Sequence, residues 1–173
     1  MKMDELKELQ EKTLDTICDL LNQNNMAAIK IKADEKNPVS IVNIRLSHFS
    51  DAEIELTGDL HFLPQDNANK EVQYINCTLL IKEEFNLDYY NELAGIISVL
   101  NSRMTCGYFT ITPDNSLIYR LCLPLITSIA SEKLIYNVDS VLMNSLSAAA
   151  THTPLLLNAA NGKISFTDFI NSL

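Results

Sequence analysis

The feature that most constrains this chain is a change in the spacing of its apolar residues. They recur about every 3.6 positions in some segments and every second position in others. The first spacing is typical of an amphipathic helix and the second of a half-buried strand. Helical spacing occurs over about 3–23, again over 86–102, and a third time from about 131 onwards. Alternating segments fill the intervals, and this order predicts a protein that mixes helices and strands.

Alternation predicts four strands before the second helix and two after it. The predicted strands are 27–33, 39–49, 53–63, 72–83, 105–112 and 117–125. Ile29 and Ile31 alternate with Lys30 and Lys32, which indicates that the first strand is short and allows it to be an edge strand. Short connections favour antiparallel neighbours with one covered and one open face. The predicted fold class is α+β, an antiparallel sheet with helices packed on one face, in the order α-β-β-β-β-α-β-β-α.

The C-terminal part carries several helix signals. Ser131 is a suitable residue to begin the third helix. Pro154–Ala160 is predicted to be a separate short helix closed by Gly162, and Ser165–Leu173 a last helix that begins at its serine. No repeat or long linker divides the chain, so residues 1–173 are predicted to form one domain.

The charge pattern disfavours two classes of partner. The formal net charge is −9. Acidic residues outnumber basic ones in residues 1–100 and only balance them in 101–173, and no Lys/Arg cluster is present. Nucleic acids and anionic membranes are therefore poor candidate partners. The N-terminal segment is charged, and no segment approaches the roughly 20 apolar residues that span a bilayer. We expect a cytoplasmic protein.

Cysteine and glycine patterns predict no cofactor and no metal. The four cysteines, Cys18, Cys77, Cys106 and Cys122, are too far apart for a zinc or redox motif. The last two lie on opposite strands of one predicted hairpin, and the favoured interpretation is two small buried thiols rather than a disulfide. The four glycines are isolated, so no phosphate-binding loop is predicted.

Histidines and acids provide a weak candidate site. His48 and His61 could be cross-strand neighbours and, with Asp59, could hold a metal or act as an acid/base pair. Their parities place the two rings on opposite faces, so solvated or core histidines are the favoured interpretation. Glu53 and Glu55 share a strand side with Asp59, which is typical of a solvated open face, with cation binding as the alternative. No spacing assembles a catalytic triad.

The segment Glu92–Leu125, ELAGIISVLNSRMTCGYFTITPDNSLIYRLCLPL, resembles the YbjN family, which is similar in fold to the type III secretion chaperones. The later segments Ser131–Leu134 and Thr153–Gly162 resemble the same family. The resemblance implies helices on one face of an antiparallel sheet, a homodimer, and a role in binding protein segments or in bacterial regulation. It implies no reaction. One departure is that four strands are predicted before the second helix, where the secretion chaperones usually have three.

The predicted partner surface combines the second helix with the last strand. Its candidate residues are Tyr89, Tyr90, Ile97, Leu117 and Tyr119. Most of this apolar surface should form the core, and any excess should be covered by a second copy or by a peptide. The leading hypothesis is a non-enzymatic protein-binding module that acts as a chaperone-like or regulatory factor. The alternative is a small ligand-binding protein or a hydrolase, which requires a pocket with convergent polar groups.

Overall fold

The computed structural model describes residues 3–47, 54–64, 71–129 and 132–173, with side chains for all of these except 129 and 132–137. The helices within these ranges are α1 (Met3–Gln23), α2 (Tyr90–Arg103), α3 (Glu132–Ala160) and α4 (Phe166–Asn171). The strands are β1 (Ala27–Ile31), β2 (Ile41–Leu46), β3 (Leu56–Phe62), β4 (Val72–Lys82), β5 (Tyr108–Ile111) and β6 (Leu117–Ile126). The predicted element order is confirmed. The predicted helix start at Ser131 lies outside the described residues.

The strands form one antiparallel sheet in the order β1-β2-β3-β4-β6-β5. Strands β1 and β5 are therefore its two edges. One buried row shows how the register aligns the apolar parities: Val42 lies opposite Leu60, Leu60 opposite Cys77, and Cys77 opposite Leu121. A slip of one residue in any strand would turn its apolar side chains to the other face, so the pattern specifies this register.

The core lies between this apolar face and the helices. All four helices contribute buried side chains to one hydrophobic cluster with the sheet. Fully buried examples are Leu14, Ile17, Leu93, Leu142 and Leu146. Burying each such side chain contributes about 2 kcal/mol. No helix in the described ranges carries an apolar stretch long enough to cross a membrane.

An ion-pair cluster joins α1 to the edge strand β1. The ammonium nitrogen of Lys30 lies 2.7 Å from a Glu11 carboxylate oxygen and 2.8 Å from one of Asp15. The Lys30 side chain is only 8% exposed and lies under α1. Because residues alternate along a strand, Ile29 and Ile31 point away from the helices, and they are 70% and 43% exposed.

The prediction of a separate helix starting at Pro154 is wrong. Helix α3 runs without a break from Glu132 to Ala160, with the proline inside it. Apolar packing explains the difference, because Ala149, Leu156 and Ala159, on both sides of the proline, are completely buried in the core. Tertiary burial here outweighs the roughly 3 kcal/mol by which proline disfavours a helix interior.

The last helix is confirmed and is held against α2. Ser165 and Asp168 form a capping box, in which the serine side chain accepts from the Asp168 N–H and the aspartate accepts from the Ser165 N–H. The Phe166 N–H donates to the Glu92 carboxylate. The ring of Phe166 lies so close to Gly95 that an added Cβ there would lie 2.9 Å from it. The glycine therefore permits close contact between α2 and α4.

Candidate functional site

The sheet face that points away from the helices carries exposed side chains that no described helix covers. We call it the open face. Large apolar side chains that are 40% exposed or more lie on it: Ile29, Ile31, Tyr74, Tyr108 and Ile126. Exposed apolar groups gathered on one face mark interaction surfaces more often than scattered ones do.

The strand register arranges the open face in rows. One row crosses all six strands in the order Ile29, Asn43, Asp59, Thr78, Arg120 and Tyr108. We call it the central row. It is apolar or aromatic at both ends and charged in the middle, with the acid and the base one strand to either side of β4. The next row contains Ile31, Ile41, His61, Asn76 and Cys122.

Hydrogen bonds join the polar side chains of these two rows. Asp59 Oδ1 lies 2.7 Å from His61 Nδ1. The Asn76 amide donates to the Thr78 hydroxyl at 3.0 Å. Asn76 is only 4% exposed although it lies on the open face, because its neighbours cover it. The centre of the open face is therefore an ordered polar patch rather than a set of independent solvated side chains.

Arg120 lacks a carboxylate partner within the described residues. The ion pairs found there involve Lys30, Arg45 and His61, and Arg45 pairs with Glu55. Among the described residues, Arg120 donates one hydrogen bond to a side chain, a long contact of 3.5 Å to the Asn76 carbonyl oxygen. A contact at that distance is weak. A half-buried guanidinium with so little compensation favours an anionic group on whatever covers the face.

The open face is hollowed over its β1 half. A depression of about 680 Å³ lies there, with Ile29 and Ile31 on one side and Leu80 on the other. Strands β3 and β4 approach closely beside it, since a Cβ added to Gly58 would lie 2.2 Å from the carbonyl oxygen of Thr78. This volume falls within the range of binding depressions, which are commonly about 300–1,000 Å³.

In each edge strand, the backbone of one residue is hydrogen-bonded by an asparagine side chain from the preceding helix. The Asn22 amide donates to the carbonyl of Ala28 at 2.9 Å, and its oxygen accepts from the Ala28 N–H at 3.1 Å. Asn101 does the same with Phe109 at 2.9 and 2.8 Å. Each amide occupies the outward hydrogen-bonding groups of an edge strand, where an added strand would pair. Binding by strand addition is therefore disfavoured at these two positions.

The predicted partner surface is divided between core and surface. Leu117 and Tyr119 are completely buried and Ile97 is 7% exposed, so these three belong to the core and lie beyond a partner's reach. Tyr89 is half-buried, with its ring against Gly162, and Tyr90 is 44% exposed and stacks on Phe85. The apolar row of β6 faces the helices because the register turns it inward. The two tyrosines lie among the helices, away from the open face.

The weak histidine site is only partly described. Asp59 and His61 are in contact, whereas His48 and Glu53 lie outside the described residues. No group of three or more metal-ligating side chains occurs in the ranges that the structure covers. Glu55 pairs with an arginine instead of gathering with other acids.

The thiol prediction needs correction. Cys106 and Cys122 are both exposed rather than buried, and neither is in a disulfide. Cys122 has the even parity of β6 and points to the open face, while Cys106 precedes β5 in a bend. Cys77 is buried as expected, and burial raises the pKa of its thiol to about 12.

A second depression, of about 340 Å³, lies on the helical side between the end of α2 and α3. Its lining includes Arg103, Cys106, Asn144, Ser145 and His152. Burial lowers the pKa of His152 below its ordinary value. Among the described hydrogen bonds none joins the thiol to the imidazole. A depression of this size, with a cation and an imidazole in its lining, is compatible with a small bound molecule.

Sequence reasoning missed Arg120, the two edge asparagines and this depression. A signal existed for the asparagines, because Leu21-Asn22 and Leu100-Asn101 each end a helix directly before an edge strand. Arg120 gave no signal of its own. Its position opposite Thr78, two strands from Asp59, depends on register.

Comparison with known proteins finds a similarity to a solved structure. No model of a protein family matches the chain, and no curated protein matches it. The solved crystal structure of YbjN from E. coli, described as a candidate transcription regulator, is similar over 86% of this chain and 93% of that chain, with a TM-score of 0.45 and 14% identity. The resemblance to YbjN seen in the sequence is confirmed, and it concerns the fold.

Proposed function

We propose that this protein is a non-enzymatic protein-binding module, a chaperone-like or regulatory factor of the cytoplasm, whose binding surface is the open face of the sheet. The supporting observation is the exposure of large apolar side chains around an ordered polar patch on a sheet face that no described helix covers. Apolar contact would supply affinity and the polar patch would select the partner.

The asparagine side chains at the edge strands disfavour one mode of binding, the addition of a partner's strand to the sheet. Because Asn22 and Asn101 occupy outward backbone groups of β1 and β5, a partner gains little by adding a strand there. It gains more by packing side chains on the open face, where sheets and helices bury apolar surface.

Selection of binders from a displayed library of random peptides tests this proposal. Selected peptides should bind the wild-type protein and should lose at least about tenfold in affinity for Ile29→Asp, because an exposed apolar contact becomes charged. Leu87→Asp is the matched control, since Leu87 is 57% exposed but lies in the short 3-10 helix before α2, away from the open face. Equal binding to wild type and to Ile29→Asp and Tyr108→Asp variants would contradict the proposal.

A second candidate function is binding of a small molecule in the depression between α2 and α3. The observation that favours it is the convergence of Arg103, Asn144 and His152 on one cavity. One cation and a neutral imidazole suit a small carboxylate with an apolar body. A set of carboxylic-acid fragments should then raise the melting temperature of the wild type and leave that of Asn144→Leu unchanged. If no fragment shifts the wild type, this candidate fails.

A further inference from the structure

We propose that the open face is occupied by a second copy of this chain, packed face to face about a two-fold axis that runs along β4, with Asp59 of each copy paired to Arg120 of the other. This inference rests on the proposed function, because it names the occupant of the same surface.

The register of the central row carries the argument. Thr78 of β4 lies opposite Asp59 of β3 on one side and Arg120 of β6 on the other. A two-fold axis along β4 exchanges the two sides, so each acid meets the base of the other copy. The two ion pairs are equal, as a closed isologous interface requires. The pairing also supplies the carboxylate that Arg120 lacks within its own described chain.

Side chains on the axis are compatible with contact to themselves. The residues of β4 on the open face are Val72, Tyr74, Asn76, Thr78 and Leu80. An asparagine amide both donates and accepts, so two copies can bond reciprocally. Two tyrosine rings can stack with an offset, and two leucines can pack. None of these positions would bring like charges together.

Sheet geometry permits the ion pairs. Facing sheets pack about 10 Å apart, with strands inclined by about 30°. Asp59 and Arg120 lie one strand, or roughly 5 Å, from the axis, so the incline displaces them by only about 2.5 Å. An arginine side chain spans such a shift.

The size of the open face suits a dimer better than a short peptide. Six strands at a spacing of about 4.8 Å make it roughly 30 Å wide. With strands about 20 Å long, its projected area is about 600 Å², which approaches the roughly 800 Å² that each partner buries in a stable complex. A single peptide strand or helix, roughly 10 Å wide, would leave much of the apolar rim exposed.

Charge reversal with light scattering tests the inference. The wild type should have the mass of a dimer at micromolar concentration, and Arg120→Glu and Asp59→Lys should each be monomers, with the dissociation constant raised at least about 100-fold by two like-charge contacts. The double variant should recover the dimer. Lys12→Glu, the same change of charge on the exposed side of α1, should remain a dimer.

Mixing the two single variants gives the sharpest result. Asp59→Lys and Arg120→Glu, each monomeric alone, should form a heterodimer, because each acid then faces a base. Circular dichroism and melting curves should show that both are folded. A monomeric wild type, or no dimer on mixing folded variants, would overturn the inference. If the wild type is monomeric, selected peptides that bind it and lose affinity for Ile29→Asp would still support the proposed function. The proposed function and the proposed dimer can therefore fail separately.

Discussion

Gly107 fits the turn before β5 against the ring of Tyr119. Its φ of +71° is a backbone conformation that other residues rarely adopt, and an added Cβ would lie 2.0 Å from the tyrosine hydroxyl. That hydroxyl donates to the Cys106 carbonyl at 3.0 Å. Gly107→Ala should therefore destabilise the fold by about 2–3 kcal/mol, measured by urea denaturation. Thr105→Ala, an exposed change two residues away, should alter stability by less than about 0.5 kcal/mol. Equal stability of both variants would contradict the assigned strain.

At the scale of elements, the Asn22 and Asn101 side chains occupy backbone hydrogen-bonding groups at the two sheet edges. Asn101→Ala removes both hydrogen bonds to Phe109 and should lower the free energy of unfolding by about 1–2 kcal/mol. Hydrogen exchange should show faster exchange at the Phe109 amide. Asn24→Ala is the matched control, because within the described residues its side chain bonds the Leu20 carbonyl of the adjacent helix end and no edge strand. If Phe109 remained protected in Asn101→Ala, the cap would have no role.

Helix α3 provides a second prediction at this scale. Proline inside a helix removes the hydrogen bond that residue 154 would donate to the carbonyl of residue 150 and crowds the preceding turn. Pro154→Ala should therefore stabilise the protein by about 1–3 kcal/mol. Had the proline begun a separate helix, where it is favoured, alanine would give no gain. Urea denaturation decides between these results.

At the scale of the whole molecule, attachment of α1 should make global stability depend on pH. Burial raises the pKa of Glu11, but hydrogen bonds from Lys30 and Ser40 outweigh it and hold that pKa below its ordinary value. A depressed carboxyl pKa contributes stability above the unfolded value, and this is lost as pH falls through the folded value. The wild type should lose stability between about pH 5 and pH 3 that Lys30→Met does not lose.

The difference should be about 1 kcal/mol or less, because Glu11 is 42% exposed and solvent screens the pair. The pH slope rather than absolute stability is the measured quantity, since methionine can replace a buried ion pair at little cost. Lys32→Met, an exposed neighbour outside the ion pairs, should keep the wild-type slope. Equal slopes of the unfolding free energy against pH in wild type and Lys30→Met would show that the Lys30 ion pairs do not cause the pH dependence.

The element order was predictable because each element shows a local repeat. Val42, Ile44 and Leu46 alternate, and the stripe from Leu93 to Leu100 has helical spacing, so side-chain direction follows from local geometry. The Ser165 helix start was predictable for the same reason, since a cap acts within three residues. The Pro154 boundary was wrong because core packing from distant residues outweighed a local preference.

The sequence by itself determined the α+β class, the helices and strands, and the apolar parity of the inner strands. Only the tertiary structure decided which side of β1 faces α1. Lys30 lies beneath the helix because it forms ion pairs with two acidic residues of α1, and Ile29 is therefore exposed on the opposite face. It also decided that Asp59 and Arg120 flank the same strand. The physical reason is that register and layer packing join residues far apart in the chain, which a periodic pattern cannot specify.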